Sequence, residues 1–264
     1  MHSLMIGALV LVTIACGKQP RERTESSLSN TAVSRPKIGE GTISFAIRGN
    51  LLALVDLPIV GRKPRLSTWW AIGQLRDSEA GQVMVETYCR INVGSAGPVH
   101  QVMEDKLVRA IPPSIAPARA SLEGERLSLA RGWATTVSGA RLNDEREDLP
   151  QDPSDPRLWD QDADGHPGAT VHVRSPIGNG DVFIVQRVRN QYQSLVTNGT
   201  ITRGVVEDSS DQAVLGATNN RLNINPPTAQ HPDLRKSPVV LVQTQEPYDC
   251  ERLLREKDQL FPRS

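Results

Sequence analysis

The chain lacks a net charge. Thirty Lys and Arg side chains balance thirty Asp and Glu, so the electrostatic footprint of a nucleic-acid binder is missing. No polybasic cluster is present to draw the chain onto anionic lipid. Long apolar runs are missing too. Residues 4–14 form the longest, with eleven residues against the roughly 20 that a spanning helix needs. The motifs of several chemistries are absent. Without His-Glu-x-x-His there is no zinc-protease helix, and without Gly-x-Ser-x-Gly there is no nucleophile elbow. No phosphate-cradling P-loop is found, and Gly178-Asn179-Gly180 runs directly into a strand pattern, unlike a dinucleotide fingerprint. No Cys-x-x-Cys occurs, which removes a thioredoxin-like site and a zinc ribbon. No internal repeat argues for a propeller.

What is present is a chain of 264 residues, 38% hydrophobic, long enough for one sizeable core. Its 20 Gly and 19 Pro are spread along it, which favours many short elements over a few long helices. The apolar run at 4–14 has the length of a signal-peptide core and ends Thr13-Ile14-Ala15-Cys16. This ending resembles the lipobox of bacterial lipoprotein precursors, in which a small residue precedes an invariant cysteine. Thr13 takes the position where that family prefers Leu. The resemblance implies cleavage after residue 15 and a diacylglyceryl group with palmitate-type chains on Cys16. Gly17, where inner-membrane lipoproteins carry Asp, implies an outer-membrane address facing periplasm or surface. Residues 1–15 are then the signal peptide, and 16–40 the lipidated Cys with a polar, flexible tether. Ser34-x-x-Lys37 in that tether matches an acyl-transfer spacing, but a tether supplies no rigid, desolvated site for a nucleophile.

Residues 41–264 read as a single β-rich domain. Ile43, Phe45 and Ile47 alternate with Ser44, Ala46 and Arg48 at period two. Gly49-Asn50 before the apolar residues 51–55 predicts a hairpin. Strands are expected at 66–75, 82–93, 169–174, 181–196, 200–206, 213–217 and 238–244. In 82–93, Val83, Val85, Thr87, Cys89, Ile91 and Val93 form the apolar face, and Met84, Glu86, Tyr88, Arg90 and Asn92 the other. Asn198-Gly199 is a strong hairpin signal. Residues 99–111 fit a helix and a strand equally. A C-terminal helix is predicted at 247–261, capped by Asp249 and stopped by Pro262, with a Glu251–Arg255 pair on its exposed side. The sum is an all-β antiparallel barrel or sandwich of about ten strands with one C-terminal α-helix. A barrel closed by such a helix is similar to the lipocalin arrangement, without the Gly-x-Trp element after Gly41.

Of the three cysteines, Cys16 is taken by lipid in this reading. Even parity in an oxidising compartment then suggests a Cys89–Cys250 disulfide, both pointing inward, against the alternative of two buried thiols. Residues 143–164 hold nine acidic side chains. They end in Asp160-x-Asp162-x-Asp164-Gly165, the front half of a calcium loop, with the His166 backbone carbonyl next in order. An EF-hand would need Glu where Val171 stands, so the loop would be completed from elsewhere, by Asp155 or Asp181. The alternative is a solvated turn, since Asp side chains bond their own backbone. His166 and His172, six apart, are more often structural than metal-binding. Adjacent Trp69 and Trp70 face opposite sides of a regular strand, one toward a cavity and one toward the surface, or both in plain packing.

These readings lead to an exported, membrane-anchored lipoprotein that is more a binder than an enzyme. Its expected ligand is a small amphiphile or an envelope component held in a β-barrel or cleft. A structural or assembly role, or a carboxylate-dependent envelope hydrolase, are the alternatives. Calcium is the one cofactor the sequence suggests.

Overall fold

The computed structural model describes residues 42–123, 126–198 and 201–262. The leader, Cys16, the tether and Ser34-Lys37 lie outside the described residues. Strands dominate, as the period-two patterns require. They are β1 (Ile43–Leu57), β2 (Gly61–Ser78), β3 (Gly81–Asn92), β4 (His100–Val102), β5 (Ser114–Glu123), β6 (Arg126–Ser138), β7 (Ala169–Ser175), β8 (Gly178–Asn198), β9 (Ile201–Asp208), β10 (Asp211–Ala217), β11 (Thr228–Gln230) and β12 (Pro238–Thr244). Helix α1 (Asp105–Arg109) follows β4, and α2 (Cys250–Leu260) closes the chain.

Eight of the strands pair in a ring, β8-β6-β5-β3-β2-β1-β12-β9 and back to β8, antiparallel throughout. This is a closed barrel, of the size whose interior side chains just fill. Phe45, Ile47, Leu75, Met84, Leu129, Tyr192 and Leu241 pack its axis and are fully buried. Strand β8 is long enough to serve two sheets. Its second half belongs to the barrel, and its first half pairs with β7 and β10, with β4 added beyond β7. Residues 99–111 resolve their ambiguity by being both, β4 and then α1. Leu107 of α1 packs into the side sheet while Val108 packs into the barrel core.

Several sequence expectations are corrected. Gly49-Asn50 makes no hairpin, and β1 runs straight through it, paired with β2 along its whole length. A Cβ on Gly49 would fall within the indole of Trp69, against Cζ2, Cε2 and Cη2, so the glycine makes room for an aromatic rather than a turn. The two faces of β3 are inverted. Met84, Glu86 and Tyr88 point into the barrel, while Val83, Val85 and Thr87 lie half-buried on the outside. A register shift opposite Trp70 and Ala71 follows, and beyond it Ile91 packs against the barrel core. Cys89 is buried with the outer cluster beneath α2, not in the barrel. Strands β5 and β6 carried no clear apolar signal, because small Ala116, Ala118 and Ala120 and the cation Arg131 hold inward positions.

Helix α2 lies on the outer face over Ala46, Cys89, Val240 and Val242, inserting Leu253, with Phe261 just past its end. Asp249 caps it, accepting from the Arg252 amide at 2.7 Å. Cys89 and Cys250 are joined in a disulfide with a Cα–Cα distance of 5.1 Å, which staples the first residue of α2 to β3. The helix's i,i+4 ion pair is Arg252–Glu256, and Arg255 also turns to Glu256 rather than Glu251. Trp69 is buried in the barrel and Trp70 packs under α2, so the pair does face opposite sides and both pack.

Candidate metal centre

Between β6 and β7 the chain makes its longest excursion, residues 139–168. Its two ends are both glycines in the left-handed region, Gly139 at φ 81° and Gly168 at φ 90°. A Cβ on Gly139 would lie 2.9 Å from the Gly168 Cα, so the neck of the loop admits no side chain there. Above the neck the loop covers one face of the side sheet. Ala140 and Leu149 bury against Phe183, Val185, Ala213 and Leu215.

The Asp160–Asp164 run is the returning limb of this loop and ties its neck. Trp159 N donates to Gly139 O at 3.0 Å, Gln161 N to Gly168 O at 3.1 Å, and Gly139 N to the Gln161 Oε1 at 2.8 Å. The carboxylates then organise the turn. Asp160 accepts from the amides of Asp164 and Gly165 at 3.1 and 2.9 Å. Asp164 accepts from the His166 amide at 2.9 Å and the Thr170 hydroxyl at 2.5 Å. Asp162 accepts from the Thr170 amide at 3.0 Å through Oδ2. Ala163 at φ 53° and Gly165 at φ 86° provide the sharp turn that aims the three side chains.

The outcome is that Asp160, Asp162 and Asp164 each offer an oxygen within 4.8 Å of the others, a cluster that could hold a metal ion. Asp162 is only 7% exposed, and its Oδ1 is buried with no hydrogen-bond partner. A buried, unpartnered carboxylate oxygen is costly in the absence of a cation. Burial first, and then the nearby Asp164 charge, raise the Asp162 pKa above the ordinary carboxylate value, with the Thr170 amide pulling the other way. For Asp164, desolvation is outweighed by the Thr170 hydroxyl and the His166 amide, and its pKa falls.

The expected completing carboxylates are not brought in. Asp155 is held by Arg157 at 2.7 Å, which keeps its pKa down at about 2. Asp181 is held by His172 Nδ1 at 2.6 Å, whose Nε2 faces Glu104 at 3.1 Å. His166 and His172 therefore do not share a site. His166 is exposed and stacks its ring on Phe183 at 4.2 Å between centroids. Thr170, Gln161 and Lys106 were missed by sequence reasoning. The Lys106 ammonium, on α1, acts on both Asp162 and Asp164. Only the alternation of β7 hinted that Thr170 would face this loop.

A second polar cluster sits inside the barrel and had no sequence signal. Glu86 accepts from the Tyr192 hydroxyl at 2.5 Å and meets Arg131 at 3.5 Å, and Glu86 and Arg131 are each 2% exposed. Arg131 also donates to the Asn190 side chain at 2.6 Å and lies over the Tyr192 ring at 4.3 Å. Burial and then the Glu86 charge push the Tyr192 phenol well above its usual range, so it stays a donor. Solvent does not reach this network, which makes it a packing element. Elsewhere, Ser95 Oγ and His100 Nδ1 are 2.7 Å apart, but both residues are exposed and hold none of the desolvation that activates a nucleophile.

Comparison of the chain with models of known families, with curated proteins and with solved structures gave no match.

Proposed function

We propose that this chain is an exported lipoprotein, anchored to the membrane through Cys16, whose β-barrel domain is a non-catalytic, calcium-bearing module for binding an envelope component. The observation that carries the calcium reading is the buried Asp162 Oδ1, unpartnered amid two further carboxylates. All-oxygen, carboxylate ligation suits a hard cation, and calcium tolerates the irregular geometry of a half-loop better than magnesium does. The Cys89–Cys250 disulfide agrees with an oxidising compartment, as does the lipobox-like Ala15-Cys16. The packed barrel axis favours binding at a surface site over an amphiphile enclosed in a lipocalin-like cavity.

Thermal unfolding in EDTA and in millimolar calcium tests the reading. At about ten times Kd, calcium adds roughly 1.4 kcal/mol and raises Tm by about 2–4 °C. Magnesium has a smaller effect, and Asp162→Ala abolishes the calcium response. Identical melting curves with and without calcium return the loop to a solvated turn. For the anchor, Cys16→Ser releases the protein from the membrane fraction or leaves it uncleaved without acyl chains, and wild-type fractionation of that variant overturns it.

A further inference from the structure

We infer that the cation at Asp160, Asp162 and Asp164 is a bridge to an external ligand, and that the ligand is a neutral saccharide presenting a vicinal diol. This rests on the calcium reading above. The loop's own ligands leave the ion's coordination incomplete. Five of the six carboxylate oxygens already accept hydrogen bonds from the loop's own amides or from Thr170, and Asp162 Oδ1 is the sixth. Each Asp is thereby oriented to give one oxygen. Calcium takes six to eight oxygens, so even with the His166 carbonyl as a fourth protein ligand about two or more positions remain for ligands from outside. Asp155 and Asp181 cannot take them, being held by Arg157 and His172.

The site is graded from the buried Asp162 through the half-buried Asp160 to the exposed Asp164. The positions without protein ligands therefore face solvent on the Asp164 side. His166, whose amide donates to Asp164, is exposed, and its ring is held flat by Phe183. A fixed, exposed ring beside a cation is a stacking platform for the apolar face of a sugar.

Charge selects the ligand class. Three carboxylates exceed the two charges of the ion, and the nearby Lys106 is itself paired with Glu104 at 3.6 Å. Residues 141–157 of the same loop add six acidic side chains against three arginines, a net excess of negative charge. A phosphate or carboxylate ligand would approach against that field. A neutral diol would not: its two oxygens coordinate the ion while its protons are donated to the Asp oxygens.

Terbium luminescence on the full-length exported protein tests this. Lifetimes in H2O and D2O count the water molecules on the bound ion. About two or more waters are expected on the ion, with a fall of about two on adding mannose or galactose and little change with inorganic phosphate. His166→Ala should weaken the sugar effect about fivefold with terbium affinity unchanged. A closed ion with at most one water, a count unmoved by either sugar, or displacement by inorganic phosphate alone overturns the inference while leaving the calcium reading standing. Failure of the protein to bind terbium or calcium at all overturns the calcium reading itself.

Discussion

Gly49 of β1 lies flat against the indole of Trp69 on β2, at the position directly opposite it in the antiparallel pair. The strand has no turn here and Gly49 is buried, so what the position demands is the absence of a Cβ. Gly49→Ala should therefore destabilise the domain by about 1–3 kcal/mol through overpacking. Urea midpoints measure it. Trp69→Leu in the same background should recover part of the loss, since the smaller side chain vacates the space. A neutral Gly49→Ala would mean that the indole shifts freely.

The disulfide spans 161 residues and ties α2 to β3. In the chain-entropy model, closing a loop of that length is worth about 4–5 kcal/mol. Cys250→Ala should cost a few kcal/mol, mostly through the unfolded state. Non-reducing peptide mapping should find one linked pair, Cys89 with Cys250. Full alkylation of both thiols without reductant would contradict it.

Glu86 and Arg131 form a buried pair inside the barrel. Removing one partner strands the other's charge away from water, so Glu86→Leu should destabilise by about 3–5 kcal/mol. The double variant Glu86→Leu with Arg131→Met should lose much less, because replacing both charges with apolar groups is often close to neutral. A double variant as damaged as the sum of the singles would show that the two residues act independently.

His172 links β7 to Asp181 on β8 and to Glu104 just before α1. The hydrogen bond to Asp181 first, and then Glu104, raise its pKa above the usual histidine value, burial opposing. A raised folded-state pKa stabilises fully below the unfolded value of about 6.5 and ceases to do so as pH climbs through the folded value. The half-exposed side chain limits the effect to well under about 1 kcal/mol. Wild type minus His172→Gln, followed by urea midpoint from pH 5 to 9, should show a gain at the acid end that fades on the alkaline side. A difference that grows with pH has the wrong sign for this pairing.

Contiguous or periodic features were legible in the sequence. The alternation at 43–47, the strand at 238–244, the Asp249 cap, the even pair of cysteines and the Asp160–Asp164 turn each depend on residues a few positions apart or on parity. Local geometry decides such features, so sequence decides them too. The faces of β3 depended on something else. Once the strands close into a ring, one face of β3 meets the narrow barrel axis and the other meets α2. Cys89 went to the helix side, Ile91 packed against the barrel core, and Met84, Glu86 and Tyr88 went inside, where Arg131, from β6, pairs with the Glu86 carboxylate. Gly49 read as a turn because its partner Trp69 is twenty residues away along the chain. The three-carboxylate cluster divided the same way: sequence order spaced its members. Only the apposition of Gly139 with Gly168, and of Thr170 with the loop, buried Asp162 and left its Oδ1 without a partner. Those contacts join distant segments, and their energies exist only after the chain has folded.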